Sequence, residues 1–521
     1  MKILLLNPRC PQTYWTFDRV LRMTGRKATV APLSLITVAA VLPQTWVYTL
    51  ADLAVRNVSA EEWAEADVVM ITGMAVHSTG MLTAIKEAKA RAKFVVVGGP
   101  LAFHVPEEFL RAGADIVVKG EVESIATELV AAVEHRESGV VLQGVDRPDM
   151  ASSPIPRFDL LNVDNYLNMS VQFSRGCPFR CEFCDVTTMF GHEFRTKSPS
   201  RILEELQVLY DMGWRRHIFF VDDNLIGLPA KAKELLRALI PWMEQRGYPF
   251  DFITQVSVNV ARDEELLDLM VQAGFIRVFV GIESPDIESL EMSGKHQNVS
   301  IDLDWACDAI ARAGLQIIAG CIVGFDNEKP GADQRLINFA VRNQIPEMFI
   351  TQLQVGPGTD LWTRLDKEGR LLPIAFSDDI GSQTGAVNFV PTRSPEEITR
   401  EFLRIYEVLY EPRAYAERTF NTFAKMRPRP FKKAFQMPTW GELRAVVMTG
   451  FRQMILSPCR WTFFKLFVKA IVTFPGRLPD YLTACVVAEH YFEYRRTIRQ
   501  QMIGVASRNP AASPPDGAHA G

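Results

Sequence analysis

Residues 174–185 read Ser-Arg-Gly-Cys-Pro-Phe-Arg-Cys-Glu-Phe-Cys-Asp. Cys177, Cys181 and Cys184 are spaced Cys-x3-Cys-x2-Cys. Three thiolates on one short loop suit a metal cluster better than a disulfide in a reducing compartment. Structural zinc takes four ligands. No further cysteine lies nearby, and His192 is the one local residue that suits the fourth position. A four-iron cube held by three cysteines leaves one iron open for a substrate-like ligand. A zinc loop and three unrelated cysteines are the alternatives, and Arg175-Gly176 ahead of the loop with Phe183 inside it weigh against both. The other cysteines, Cys10, Cys307, Cys321, Cys459 and Cys485, are scattered, and most of them read as buried small hydrophobes.

Downstream of the loop, strand-like runs recur with helical periodicity between them. The runs are Ser170–Ser174, His217–Val221, Phe250–Val256, Arg277–Gly281, Gln316–Val323 and Phe349–Val355. The helices fall at Ser200–Met212, Ala230–Gln245, Asp263–Ala273, Asp302–Ala313 and Gly331–Asn343. In barrels of this kind the chemistry sits at the C-terminal ends of the strands. Asp222-Asp223-Asn224, Gln255 with Ser257, Gly281–Ser284 and Gly324–Asp326 all occupy such ends.

Upstream, short apolar runs at Lys2–Leu6, Trp46–Leu50, Val68–Thr72, Phe94–Val97 and Ile116–Val118 predict a doubly wound α/β domain. Helical periodicity covers Met81–Ala92 and Ser124–Val133. Ligands of open parallel sheets bind beyond the carboxyl ends of the strands, where small residues allow close approach. Thr72-Gly73 and Gly98-Gly99 stand there, and the same glycines serve equally well as tight turns. No Gly-x-Gly-x-x-Gly occurs, so a dinucleotide fingerprint is absent.

The 521 residues are 48% hydrophobic and 23% charged with a net charge of −4, which excludes disorder as the main state. Eight cysteines in this length exclude a disulfide scaffold. No uncharged apolar run is long enough to span a bilayer. The opening MKILLLNPRCPQ is too short in its apolar part for a signal-peptide core. The expected location is the cytoplasm, with reduced thiols. Charge is unevenly placed. Met1–Glu411 carries 40 Lys and Arg against 55 Asp and Glu, whereas Pro412–Pro510 carries 17 against 5. A basic, aromatic-rich C-terminal region suits an anionic lipid, nucleic acid or an acidic partner, or simply a solvated face. Residues 509–521 read as a disordered tail.

The Cys loop with Phe183 resembles the signature of the radical S-adenosylmethionine (SAM) enzymes. The resemblance implies a partial (βα)6 barrel whose Cys177, Cys181 and Cys184 hold a [4Fe–4S] cluster. The open iron chelates the amino and carboxylate groups of SAM, and reduction releases a hydrogen-abstracting 5′-deoxyadenosyl radical. Carried over by position, Phe183 lies at the cofactor, Glu283 takes the SAM ribose hydroxyls, and Asp222 and Asn224 take its amino end, with Gln255 beside them. The family's usual Gly-Gly-Glu after the second strand is replaced here by Val221-Asp222-Asp223-Asn224.

An α/β domain ahead of such a barrel resembles the cobalamin-binding class. Thr72, Gly73, Gly98, Gly99, Gly120 and Glu121 match the loops that embrace the cofactor there. The Asp-x-His-x-x-Gly motif that supplies a lower cobalt ligand is missing, since the corresponding loop reads Pro8-Arg9-Cys10-Pro11-Gln12. His77–Gly80 lacks the Asp and follows the third predicted strand. The segments Pro32–Leu35, Leu42-Pro43, Gln352–Thr359, Leu361-Trp362, Lys367–Leu371, Asn388–Pro391 and Tyr410–Arg418 resemble the subfamily that contains the hopanoid C-2 methylases.

The fold expected is therefore α/β: a cobalamin-binding-like domain over 1–145, a linker over 146–165, a radical SAM barrel over 166–360 and a mainly helical region over 361–508. The activity implied is methyl transfer to an unactivated carbon of a hydrophobic, hopanoid-like lipid. Cyclisation or rearrangement with the same cofactors, and a non-catalytic cobalamin or lipid sensor, are the alternatives. The implied partners are a small hydrophobic substrate and an electron donor such as flavodoxin or ferredoxin, with no nucleic acid. Trp461–Phe474, with Lys465 and Lys469 one turn apart, reads either as an interfacial helix giving peripheral membrane contact or as a packed helix with two snorkelling lysines.

Overall fold

The computed structural model describes residues 1–144, 146–372, 383, 387–434 and 436–506, with only the backbone of 503–506. Its first strand, β1 (Lys2–Asn7), is buried from Ile3 to Leu6. Ile3 and Leu5 enter one apolar cluster, and Leu4 and Leu6 enter another. A strand covered on both faces needs apolar residues throughout, which is why this one reads as a continuous run. Around it lie β3 (Val47–Asp52), β4 (Val68–Thr72), β5 (Phe94–Gly98), β6 (Ile116–Lys119) and β7 (Val140–Gln143), in the order β3-β1-β4-β5-β6-β7. Every pairing is parallel. The doubly wound domain is thus present. Its last strand, β7, was not expected, because its four residues are only half-buried or exposed and carry no core pattern.

The second sheet has seven strands in the order β15-β14-β13-β12-β11-β8-β2. Its barrel strands are β8 (Tyr166–Val171), β11 (His217–Phe220), β12 (Asp251–Val256), β13 (Phe275–Glu283), β14 (Gln316–Val323) and β15 (Glu347–Gln352). Helices cover its outside at Pro199–Asp211, Pro229–Gln245, Glu264–Ala273, Leu303–Ala313 and Ala332–Arg342, close to the predicted spans. This is a half-barrel. The seventh strand is β2 (Ala28–Val30), which pairs in parallel with β8. Three residues are too few to show a periodicity, so this strand was not expected.

The N-terminal segment therefore leaves the first sheet after β1, serves the barrel and returns at β3. Tyr14 is fully buried among Tyr410, Tyr491 and Tyr494. Its hydroxyl lies 3.0 Å from that of Tyr410, and its carbonyl oxygen lies 3.1 Å from His490 Nε2. Residues 1–145 are consequently not a self-contained block. The linker region is a chain of three 3₁₀ turns, at Met150–Ser152, Phe158–Leu160 and Val163–Asn165.

The predicted strand Ser170–Ser174 is split. It ends at Val171, because the amides of Phe173 and Ser174 turn to Asp222. Ser174–Arg175 then forms β9, paired antiparallel with β10 (Arg195–Thr196), and this ribbon brackets the Cys loop. Beyond the barrel the chain is helical, at Asp360–Lys367, Pro395–Leu409, Pro412–Lys425, Trp440–Phe451, Arg460–Thr473 and Leu478–Ala506. The predicted tail, 509–521, lies outside the described residues.

Candidate active site at the Cys loop

The three cysteines are free and half-buried at the mouth of the half-barrel. Gly176 makes the entry turn at φ +90°, and any side chain there would collide with the carbonyl of Glu193. From the far side the loop is fastened by the amide of Glu182, which donates to the carbonyl of Ser293 at 3.0 Å. Gln297 Nε2 comes to 3.7 Å from Cys181 Sγ, and the Lys295 ammonium stands 5.9 Å from the Phe183 ring centre. Among the described residues, no three His, Cys, Asp or Glu side chains are grouped to hold a single metal ion. Three open thiols on a loop with backbone donors around it fit a cube with one free iron.

Glu283 closes β13 at φ +61°, a strained conformation for a residue with a side chain. The register with β14 slips at that point. Its carboxylate is held by Lys295 at 2.6 Å, beside the Cys loop. Burial pulls the Lys295 ammonium down, but Glu283, Cys181 and Cys184 more than offset it and hold it above the ordinary lysine value. The strand end that resemblance assigned to SAM is therefore brought to the cluster loop. Lys295 was invisible beforehand, because it follows a turn with no motif.

Asp222 is fully buried and accepts from the amides of Phe173 and Ser174 and from the Ser174 hydroxyl. Burial pushes its carboxyl up to about 6, against these hydrogen bonds. It braces the strand leading to Cys177, so its oxygens are already engaged. Asp223, named at this strand end but given no role by the resemblance, is half-buried, and burial together with Asp222 and Asp185 pushes it up to about 7. Asn224 Oδ1 accepts from the Ser257 amide at 3.0 Å, whereas its buried Nδ2 has no partner among the described residues. Gln255 accepts from the Leu225 amide through its carbonyl at 2.9 Å, and its side chain is half-buried.

Across from the Cys loop stand the ends of β4, β5 and β6. Thr72 and Gly98 are register partners. The Gly73 carbonyl accepts from the Leu101 amide at 3.2 Å, tying the two loops together. Gly99, at φ +91°, has no room for a Cβ against the Thr72 hydroxyl. Gly120 also has positive φ, at +124°. These bare backbone turns at adjacent strand ends suit a large ligand lying over the sheet edge. His77 does not act as a free ligand on its Nδ1, which accepts from the Met74 amide at 3.3 Å.

Glu121 turns away from these loops. Its carboxylate binds Arg175 Nη1 at 2.6 Å and Arg195 Nη2 at 2.6 Å, one on each strand of the ribbon. Glu123 binds Arg175 Nη2 at 2.9 Å. Burial raises the Glu123 carboxyl, but Arg175 overcomes that and holds it below the usual range. His104, four residues past the Gly99–Pro100 turn, meets Asp185 at 3.3 Å. The first sheet's loops and the Cys loop are thus locked face to face. Arg175 was legible only as part of the motif, and Arg195, Glu123 and His104 carried no signal at all.

Family models match three parts of the chain: the B12 binding domain over 21–130, the Radical SAM superfamily over 171–340, and a domain of unknown function (DUF4070) over 359–503. An uncharacterized methyltransferase of Synechocystis is 43% identical over 96% of this chain and 93% of its own. The chain belongs to the cobalamin-dependent radical SAM methyltransferases. Another relative is the hopanoid C-2 methylase of Rhodopseudomonas palustris, 33% identical over 71% of each chain. Among solved structures, the radical SAM methyltransferase TsrM from Kitasatospora setae superimposes with a TM-score of 0.62 at 16% identity, covering 95% of this chain and 99% of its own. The cobalamin-dependent radical SAM enzyme OxsB gives 0.59 at 14% identity over 97% and 83%. At these identities the two share the fold.

As a radical SAM methyltransferase, the protein is an enzyme whose cofactors are a [4Fe–4S] cluster, SAM and cobalamin. Its residues fit them: free thiols at one face of a cleft and bare strand ends at the other.

Proposed function

We propose that the enzyme transfers a methyl group to an unactivated carbon of a hydrophobic polycyclic lipid, with a hopanoid-like molecule as the leading class. The observation that carries the substrate class is an aromatic wall inside the half-barrel. Phe279 of β13 and Phe349 of β15 are half-buried with ring centres 6.3 Å apart. Trp15, from the N-terminal segment, lies 5.8 Å from one and 5.1 Å from the other. Side chains alternate along a strand, so the residues two on, Gly281 and Thr351, continue this inner face toward the mouth. Below the rings the interior is closed by a polar layer, with Gln316 Nε2 on Glu347 at 2.6 Å and Tyr491 on Glu347 at 2.9 Å. A flat apolar acceptor resting on the rings would present its edge to the cleft. A relative's name, hopanoid C-2 methylase, points the same way.

When bound, the three cofactors supply a hydrogen-abstracting radical and a transferable methyl group. The chain's own part is positional. The Cys loop and Glu283 hold one side of the cleft, and the bare ends of β4–β6 hold the other. The Glu121–Arg175–Arg195 bridge fixes their separation, and the aromatic wall excludes water from the acceptor. A donor of single electrons, of the flavodoxin or ferredoxin type, completes the proposed cycle in the cytoplasm.

The test is mass spectrometry of total lipids from a hopanoid-making host, with and without the chain. A hopanoid heavier by one CH₂, absent with Cys177→Ala, is the expected result. Products of unchanged mass would favour ring formation or rearrangement instead. An unchanged profile from fully loaded enzyme would remove hopanoids as the substrate.

A further inference from the structure

The C-terminal region turns a broad apolar surface outward. The helix Trp440–Phe451 runs on through a π-helical turn, Arg452–Leu456, to the helix Arg460–Thr473. On the first, Trp440 is 78%, Val447 61% and Phe451 52% exposed. On the second, Trp461 is 74%, Phe464 51% and Val472 79% exposed. Their spacing is that of one stripe per helix. The opposite faces are already used: Ala445 and Thr449 point inward on one, and Phe463, Leu466 and Ala470 on the other. The helix Arg460–Thr473 thus packs through one face and leaves the other open. Large apolar residues exposed in stripes on two consecutive helices mark an interaction surface.

Charge identifies the partner. From Leu443 to Pro479 there is no Asp or Glu, while Arg444, Arg460, Lys465 and Lys469 are exposed. None of these four makes an ion pair among the described residues. Stacking this face on a second copy would oppose like charges across the contact. No helix among the described residues is long and apolar enough to cross a membrane. Tryptophan opens each helix, as expected of residues at the headgroup level. We propose that this face docks the enzyme flat on an anionic phospholipid leaflet, the stripes entering the acyl boundary and the cations meeting the headgroups. The face sits beneath the half-barrel. Arg216, next to the first residue of β11, binds Glu442, and Asp251, the first residue of β12, binds Lys433. The Cys loop is at the other end of these strands, so docking leaves the cleft uncovered.

The proposal does not depend on the methyl acceptor, and its test involves no turnover. Full-length cofactor-loaded enzyme is floated with vesicles of phosphatidylcholine alone or mixed with phosphatidylglycerol. Expected is binding to the anionic vesicles at least about tenfold tighter than to the neutral ones, falling with added salt. Trp461→Asp with Val472→Asp, both exposed sites, should abolish flotation while circular dichroism and iron content stay unchanged. Lys465→Glu with Lys469→Glu should remove the preference for anionic lipid. Trp305→Asp, an exposed apolar residue on the helix Leu303–Ala313, should change nothing. Absence of flotation with either lipid overturns the proposal, as does undiminished binding by the Trp461/Val472 variant. So does a dimer by light scattering that this variant converts to monomer.

Discussion

Glu121 and Arg175 meet at 2.6 Å across the junction of the two sheets, and both side chains are at least nine-tenths buried. Glu121 follows β6 of the first sheet, and Arg175 stands two residues before Cys177. This bridge joins the sheet edge proposed to face cobalamin directly to the Cys loop, with no intervening element. A second guanidinium, Arg195, shares the same carboxylate.

Glu121→Gln should therefore separate the two halves of the reaction. Removing one member of a buried pair costs about 3–5 kcal/mol, here mostly as uncompensated guanidinium charge. Reductive cleavage of SAM, which needs only the Cys loop and barrel, should stay within a few fold of wild type. Methylated product should fall at least about tenfold. Parallel loss of both, in enzyme with a full iron content, would show that the bridge does not position the cobalamin side.

Cys177→Ala should leave a folded chain without iron. The loop is held by backbone bonds such as Glu182 to Ser293 rather than by the thiol. Iron analysis and circular dichroism check both halves of that expectation. SAM cleavage should be undetectable.

Phe279→Ala and Phe349→Ala should raise KM for the hydrophobic acceptor more than they lower SAM cleavage without acceptor. Because both rings are half-buried, the stability lost should be less than the ~3–5 kcal/mol of a fully buried Phe→Ala change. An unchanged KM would move the acceptor away from the aromatic wall.

Acid stability should report His490. The ring is fully buried, and burial pulls its pKa down to about 4. Above about 6.5 the histidine is neutral in both folded and unfolded chains and has no effect. As pH falls below that value, the unfolded chain takes up a proton that the folded one refuses, so stability drops until about pH 4. The expected loss is about 2 kcal/mol between pH 6.5 and pH 5. His490→Asn should flatten that part of the profile, as read from urea midpoints, even if it lowers stability overall.

Much of this architecture could be read from residue types. β1 from Ile3 to Leu6 and β14 from Ile317 to Val323 are apolar because both their faces are covered, and such runs survive any uncertainty in their ends. The Cys loop was legible because its chemistry needs three thiols at fixed spacing. Glu283 was legible as a carboxylate at a strand end, but its partner Lys295 was not, since pairing across a turn leaves no period in the sequence. Asp222 shows the opposite case. A carboxylate at the right strand end looks like a ligand-binding group, yet its oxygens are taken up by the Phe173 and Ser174 amides. The clasp formed by Glu121, Glu123, Arg175 and Arg195 depends on two sheets meeting, which no local pattern encodes. Trp461–Phe474 left its interfacial and packed readings open for a different reason: an apolar residue in a helix does not say which side is already occupied.

The excursion of the N-terminal segment into the barrel sets an order of events during translation. Tyr14 lies 476 residues before His490, which donates to its carbonyl. At ~5–20 residues per second, that partner leaves the ribosome roughly 24–95 s later. β2 can pair with β8, and Trp15 can reach Phe279 and Phe349, once those residues are made, but throughout that interval Tyr14 lacks Tyr491, Tyr494 and His490. The nascent chain must keep this aromatic segment from aggregating or pairing wrongly until the helix Leu478–Ala506 packs over it. A ribosome stalled before residue 478 would carry a chain with its cofactor loops complete and its barrel still open from below.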